Sequence, residues 1–194
     1  FADRTLFGVE RGGDFPLMAG RGCPFDCTYC CNHILKKVQT GRYVRMRSAD
    51  HVLAELRRGL ELHPVRRVIF EDDTFTLMKP WLKEFLPRYR AEIGVPFVAN
   101  ARVGYFDRET ADALAAAGCE YVSIGVESGC EELRRNVLQR DMSNEQIVAA
   151  FDMTKDAGLS TYAFYMIGFP TETADMAHET LALHERLRPE AGFQ

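Results

Sequence analysis

The chain has 194 residues, of which 46% are hydrophobic and 27% charged, and this composition is typical of a globular domain with its own core. The formal net charge of −4 argues against a broad surface for nucleic acid or for anionic lipid. No apolar run approaches the roughly 20 residues of a membrane span. Six cysteines in a chain of this length predict a reducing cytoplasm rather than a disulfide scaffold.

Short apolar segments alternate with longer segments of helical period along the chain. The apolar segments predict five strands, at residues 15–20, 66–71, 96–101, 120–126 and 161–168. The segments between them predict five helices, at residues 48–62, 80–93, 107–117, 143–157 and 173–187. This repeated strand–helix alternation predicts an α/β fold in which helices cover a parallel sheet.

Each predicted strand ends in polar or glycine-rich sequence, such as Glu71–Asp73 after the second strand. An open doubly wound sheet and a (β/α) barrel both place the chemistry at the carboxyl ends of parallel strands, so five such endings are expected to face one site. The chain stops at residues 191–194, where a sixth strand would begin. We therefore expect a fold truncated before or at its sixth strand.

Three closely spaced cysteines, with the pattern C-x3-C-x2-C, follow the first predicted strand. They are Cys23, Cys27 and Cys30. Three thiolates can hold a [4Fe–4S] cluster and leave one iron open to a small molecule. Two alternatives remain: a zinc site completed by Cys31 or His33, and an electron-transfer or sensing cluster completed by Cys31. Cys119 and Cys130 are expected to be core or loop residues.

This cysteine pattern, with the aromatic Tyr29 before its last member, resembles the radical S-adenosylmethionine (radical SAM) superfamily. The segments 71–75, 124–129 and 167–173, which follow the second, fourth and fifth strands, resemble motifs of the same enzymes. The whole set is most similar to the branch that often carries a cobalamin-binding domain, with its radical methyltransferases and oxidative cyclases. Methylthiotransferases that modify RNA or protein share parts of the pattern.

The resemblance implies a partial (β/α)6 TIM-like barrel, with residues 1–14 as a leader or linker and residues 15–194 as an incomplete core. It implies a [4Fe–4S] cluster and S-adenosylmethionine as cofactors and allows cobalamin in the full-length protein. The implied reaction is reductive cleavage of S-adenosylmethionine to a 5′-deoxyadenosyl radical, with a reductant such as flavodoxin or ferredoxin. The substrate is left open, and an incomplete barrel is expected to show little substrate turnover.

The resemblance also implies roles for residues near the end of the fourth strand. Glu127 is expected to bind the ribose hydroxyls, with Ser128 beside it, although a carboxylate here could instead cap the next helix. Arg140 is expected to face the methionine carboxylate, with a surface arginine as the alternative. Arg134 and Arg135 are weaker candidates for that position.

Further candidates follow the second, third and fifth strands and line the cysteine loop. Asp72 and Asp73 are expected to receive the methionine ammonium group. Asn100 and Arg102 are expected to face the substrate. Four more residues are expected to border the cluster or the adenine: Phe25, Tyr29, Gly168 and Pro170.

Overall fold

A computed structural model describes residues 13–192 of the chain. Most of the leader predicted for residues 1–14, and the last two residues of the chain, therefore lie outside the described residues. Six strands form the main sheet: β1 (Asp14–Leu17), β4 (Arg67–Phe70), β5 (Phe97–Ala101), β6 (Cys119–Glu127), β7 (Ser160–Tyr165) and β8 (Ala191–Gly192). Two short strands, β2 (Gly20–Arg21) and β3 (Arg45–Met46), pair with each other in an antiparallel ribbon.

The main sheet is parallel throughout and has the strand order β1-β4-β5-β6-β7-β8. Within residues 13–192, no pairing joins β8 back to β1, so the sheet remains open. The prediction of a partial barrel with parallel strands is confirmed. The sixth strand, β8, has two residues in the described part of the chain, and they pair with Tyr162 and Ala163 of β7.

Seven α-helices and one short 3-10 helix, Phe75–Leu77, accompany these strands in the described part of the chain. The α-helices are α1 (Asn32–Val38), α2 (Ala49–Leu62), α3 (Lys79–Glu92), α4 (Arg108–Ala117), α5 (Glu131–Asn136), α6 (Asn144–Asp156) and α7 (Ala174–Leu187). The five predicted helices correspond to α2, α3, α4, α6 and α7, within a residue or two at each end. Among the described residues, no helix has the length and apolar character that crossing a membrane requires.

Local capping explains why these helices begin and end where they do. The Ser143 side chain accepts a hydrogen bond from Gln146 N, and the Gln146 side chain binds the Ser143 backbone in return, which forms a capping box at α6. Asp107 caps α4 by accepting from Thr110 N, and Gly118 ends that helix with a left-handed φ of 95°. The next strand begins directly after this glycine.

The core lies between the sheet and the outer helices, and its densest part is aromatic. Phe70 of β4 stacks on Phe75 with ring centroids 4.4 Å apart. Phe85 and Tyr89 of α3 pack against the same ring. Each fully buried aromatic side chain stabilises the fold by about 1.5–3 kcal/mol relative to an exposed one. This packing fixes the sheet, and with it the ends of the strands.

The first strand is shorter than predicted, and a contact distant in sequence explains the difference. The prediction placed it at residues 15–20, whereas β1 ends at Leu17. The backbone N–H groups of Ala19 and Gly20 bind the carboxylate of Asp72 instead of a neighbouring strand. The chain therefore leaves the sheet after β1 and enters β2 and the cysteine loop.

Candidate functional site

The cysteine loop, residues 22–31, is folded by contacts from other parts of the chain. Lys36 of α1 reaches back and donates to the carbonyl oxygens of Pro24 and Phe25, each at 2.9 Å. Thr28 donates its hydroxyl to Val137 O at 2.7 Å, which fixes the loop against the end of α5. The three motif cysteines lie outside helix α1, which begins only at Asn32.

Two of the three cysteines have neutral polar neighbours. Cys23 Sγ lies 4.0 Å from the Thr74 hydroxyl, and burial raises the pKa of the Cys23 thiol above its usual value. Asn32 Nδ2 lies 3.4 Å from Cys30 Sγ and donates to Asp73 Oδ1 at 2.9 Å. A single buried amide therefore connects the cysteine loop with the acidic segment after β4.

The third cysteine, Cys27, is buried and lies beside two guanidinium groups. Arg102 Nη1 is 3.5 Å from Cys27 Sγ, and Arg140 Nη1 is 4.0 Å from the same atom. Arg102 also lies over the ring of Phe25, with its central carbon 3.9 Å from the ring centroid. Two positively charged groups therefore lie next to the Cys27 sulfur.

Next to this loop, Tyr29, Glu127 and Arg140 form a connected polar group. Tyr29 donates its hydroxyl to Glu127 Oε1 at 2.8 Å, and Arg140 Nη1 donates to the Tyr29 oxygen at 3.2 Å. Arg140 Nη2 also donates to Gly125 O at 2.5 Å, while its Nε has no acceptor among the described residues. The alternative that Arg140 is a surface arginine is wrong, because its side chain is buried.

Glu127 itself occupies an unusual backbone conformation. Its φ of 70° lies in the left-handed region, which costs a non-glycine residue energy and concentrates at functional sites. A side chain at Gly125 would overlap both the Glu127 carboxylate and the Arg140 guanidinium. Burial raises the pKa of Glu127, and the neighbouring Arg140 opposes that shift.

The alternative that Glu127 caps the following helix is wrong. Helix α5 begins at Glu131, its N-cap residue is Cys130, and no side chain caps it. The Glu127 carboxylate binds Tyr29 instead. It therefore lies beside the cysteine loop, through its contact with Tyr29.

Ser128 follows Glu127 but is turned into the protein. It is fully buried, and its hydroxyl lies 3.3 Å from Thr180 Oγ1 and accepts from Cys130 N at 3.2 Å. These contacts join the loop after β6 to α7. They favour a supporting role for Ser128 over the direct cofactor contact that we predicted.

Arg134 and Arg135, the weaker candidates for the methionine carboxylate, have different roles. Arg134 is completely buried and donates to Ser128 O at 2.5 Å, to Met142 O at 3.0 Å and to Asn144 Oδ1 at 2.7 Å. Arg135 is exposed and pairs with an aspartate on the surface. Arg134 therefore holds the Glu127 loop from inside the protein, and neither arginine faces the cysteine loop through these contacts.

The two adjacent aspartates after β4 also differ. Asp72 is buried and accepts from Ala19 N at 2.9 Å and from Gly20 N at 2.5 Å, and burial raises its pKa to about 6. Asn100, which we expected to face the substrate, donates its amide to Asp72 O at 3.0 Å. Asp73 is exposed. Of the two, Asp73 has the free surface that a ligand's ammonium group would need.

Gly168 and Pro170 form an exposed turn after β7. Gly168 has a φ of 93°, and its N–H donates to the carboxylate of Glu172, which also accepts from Phe169 N at 3.1 Å. The predicted residues thus lie shortly after the end of β7 at Tyr165, in a turn that is closed by Glu172. We did not predict that role for Glu172, because only the folded turn brings its carboxylate back four residues.

The sequence analysis also missed Asn32, Lys36 and Tyr43. Tyr43 donates its hydroxyl to Asn32 Oδ1, which orients the amide toward Cys30 and Asp73. None of these three residues belongs to a spaced motif. Their proximity to the cysteine triplet was the only signal that could have found them.

The donor set fits an iron–sulfur cluster. Within residues 13–192, no three or more His, Cys, Asp or Glu side chains are arranged to hold a single metal ion. The three cysteines are free thiols in one loop, each beside a hydroxyl, amide or guanidinium donor. Such donors to cysteine sulfur, together with partial burial, are the surroundings that iron–sulfur clusters use. Cys31 is exposed, and Cys119 and Cys130 are buried in apolar clusters as expected.

Comparison with known proteins decides the family. The sequence matches the Radical SAM superfamily over residues 17–184. The chain belongs to this superfamily. Membership implies S-adenosylmethionine and a [4Fe–4S] cluster as cofactors, and it supports an enzymatic function.

Individual relatives cover nearly the whole chain. An uncharacterized methyltransferase of Pyrococcus horikoshii is 29% identical over 187 residues, which are 96% of this chain and 38% of that protein. The anaerobic magnesium-protoporphyrin IX monomethyl ester cyclase of Rubrivivax gelatinosus is 27% identical over 173 residues, 88% of this chain and 30% of that protein. The chain thus spans about a third of the length of these curated relatives.

A solved structure supports the same fold. It is the radical S-adenosylmethionine methyltransferase TsrM from Kitasatospora setae, with cobalamin and a [4Fe–4S] cluster bound. The TM-score is 0.81 at 22% identity, over 98% of this chain and 38% of that one. At this identity the likeness establishes the fold alone, a parallel sheet with outer helices.

Proposed function

We propose that this radical SAM chain binds a [4Fe–4S] cluster through Cys23, Cys27 and Cys30 and cleaves S-adenosylmethionine reductively. The observation that carries the proposal is the geometry of one edge of the sheet. There, three free thiols with polar donors adjoin the connected group formed by Tyr29 and Glu127. When bound, the cluster supplies the electron that splits a carbon–sulfur bond of S-adenosylmethionine.

The residues around the thiols are suited to hold the polar groups of S-adenosylmethionine, which are its ribose hydroxyls, its carboxylate, its ammonium group and its adenine. Glu127 offers a buried carboxylate, which can accept from the two hydroxyls of a ribose. Arg140 offers a buried guanidinium whose Nε has no acceptor among the described residues, and a carboxylate would satisfy it. Asp73 offers an exposed carboxylate for an ammonium group, and Gly168 and Pro170 offer backbone groups for adenine.

For the whole protein we propose a methyltransferase or an oxidative cyclase that also uses cobalamin. The support is that one relative is named a methyltransferase, another a cyclase, and that the TsrM structure contains cobalamin. A putative methylthiotransferase of Methanocaldococcus jannaschii is also related, at 25% identity over 172 residues. This relative supports a second candidate function for the whole protein, the modification of RNA or protein. A reductant such as flavodoxin or ferredoxin would supply the electron in either case.

Anaerobic reconstitution with iron and sulfide tests the proposed cluster. We expect alanine at any one of the three motif cysteines to lower the bound iron strongly. Cys31→Ala is the matched control, because it removes an adjacent but exposed thiol. Loss of iron in Cys31→Ala would favour a four-cysteine electron carrier and contradict the proposal.

Product analysis tests the proposed reaction. Reconstituted protein is incubated with S-adenosylmethionine and a strong reductant, and 5′-deoxyadenosine is measured against the Cys27→Ala variant. We expect product above that control even without substrate, because the cysteine loop and Glu127 are both present. Equal amounts in the two samples would contradict cleavage by this chain.

A further inference from the structure

Arg102 makes two contacts that the proposed chemistry leaves unexplained. Its Nη1 lies 3.5 Å from Cys27 Sγ, across 75 positions of sequence, and its guanidinium lies 3.9 Å above the ring of Phe25. Phe25 is in turn held edge-on by Tyr105, with ring centroids 5.1 Å apart. Both partners of Arg102 therefore belong to the cysteine loop, and neither carries an opposite charge in its neutral form.

The loop after β5 is built to present this arginine. Tyr105 N donates to Arg102 O at 3.0 Å, and Gly104 between them has a φ of 87°, so the chain reverses within four residues. The reversal brings the Tyr105 ring edge-on against the Phe25 ring. In the part of the chain that the structure describes, no carboxylate lies within 4.0 Å of the Arg102 guanidinium. Cys27 Sγ is thus the side-chain acceptor that the guanidinium contacts, while at longer range its positive charge also acts to lower the pKa of Glu127.

We propose that Arg102 is a positioning residue that donates to the Cys27 sulfur and raises the reduction potential of the cluster that Cys27 binds. The proposal rests on the proposed function above. Reduction transfers one electron from an external low-potential donor to the cluster and lowers the cluster's charge by one unit. A fixed positive charge beside one ligating sulfur stabilises this more negative state, and hydrogen bonds to cluster sulfurs act in the same direction.

Arg102 is better suited to this role than its neighbour Arg140. The Arg140 guanidinium is 4.0 Å from the Cys27 sulfur and also donates to Tyr29 and to Gly125 O. Its donors are therefore divided between the sulfur and the group around Glu127. Arg102 is closer to the sulfur. Its guanidinium lies over the Phe25 ring, so the N–H groups at its edge remain available to donate to the sulfur.

The test is a reductive titration of the reconstituted protein with dithionite. The electron paramagnetic resonance signal of the reduced cluster measures the extent of reduction at each step. Three variants are compared with wild type: Arg102→Met, Arg102→Lys and Arg135→Met. We expect Arg102→Met to keep its iron and to lower the equilibrium constant for reduction about tenfold, which is about 59 mV for a one-electron couple. Arg102→Lys keeps the charge and should retain most of the wild-type potential.

Arg135→Met is the matched control, since it removes the same charge from the protein surface. An unchanged potential in Arg102→Met, or an equal shift in Arg135→Met, would overturn the proposal. Loss of iron from both Arg102 variants would also overturn it, because Arg102 would then hold the loop rather than the potential. Failure of wild-type protein to bind a cluster would instead contradict the proposed function, so the two failures are distinguishable.

Discussion

Replacing Arg134 with methionine should destabilise the loop after β6 that carries Glu127. The guanidinium is completely buried and donates to three acceptors: Ser128 O, Met142 O and Asn144 Oδ1. Methionine has a similar length and fills most of the space, so the loss is mainly polar. It removes a donor from two buried carbonyl oxygens and from one partly buried amide oxygen.

The expected magnitude follows from these contacts. Each buried acceptor left without a donor costs about 1–3 kcal/mol. Part of this cost is offset, because the variant no longer buries a charge; the same burial lowers the pKa of Arg134 in the wild type. We expect a net loss of about 3–5 kcal/mol in the free energy of unfolding, because three acceptors lose their donor and only part of the summed cost is offset. Typical domains have about 5–15 kcal/mol in total.

The assay is urea unfolding followed by the fluorescence of Trp81, the single tryptophan, which is largely buried in the core beside Phe85. Arg135→Met is the control, because the adjacent arginine is exposed and should change stability by no more than about 0.5 kcal/mol. If the two variants differ by less than about 1 kcal/mol, Arg134 does not support the loop as described.

Three further predictions concern the site and its scaffold. Glu127→Ala should keep the iron content and weaken S-adenosylmethionine binding at least tenfold, because one or two hydrogen bonds to a charged group are worth on the order of 1.5–3 kcal/mol each. Equilibrium dialysis measures the affinity, and an unchanged affinity in a folded variant would contradict the prediction. Cys31→Ala should assemble a cluster with the wild-type absorption spectrum, and altered iron content would count against a three-cysteine site. Asp107→Ala should lose about 1 kcal/mol of helix capping at neutral pH. The Lys79 and Thr110 contacts lower the pKa of Asp107, so the stabilisation by Asp107 should be present above a pH of about 4 and disappear as the pH falls below that. A difference in stability between wild type and variant that persists in acid would contradict this prediction.

The elements that could be predicted from sequence are those whose signals are local. Helix α6 begins at a serine whose capping partner lies three residues away, and α4 ends at a glycine with a left-handed φ. Helices α1 and α5, with seven and six residues, escaped prediction. Isolated helices of this length are marginal, so tertiary contacts such as those of Arg134 decide whether they form.

The site could be predicted only as far as its positions along the strands. Strand endings and the cysteine spacing predict which edge of the sheet carries the site, but they do not predict the direction of each side chain. Asp72 and Asp73 are adjacent in sequence, yet only the folded loop shows that Asp72 binds the backbone after β1 while Asp73 is exposed. The contact between Arg102 and Cys27 likewise joins two loops that the sequence keeps 75 positions apart.

The most direct test of the account is the electron paramagnetic resonance spectrum of the reduced, reconstituted chain with and without S-adenosylmethionine. An open iron beside Glu127 and Arg140 predicts that S-adenosylmethionine changes the signal of the wild-type protein, and that Glu127→Ala weakens this change while keeping the cluster. A wild-type signal that S-adenosylmethionine leaves unchanged would contradict the central claim that this loop holds a cluster with an iron open to that cofactor.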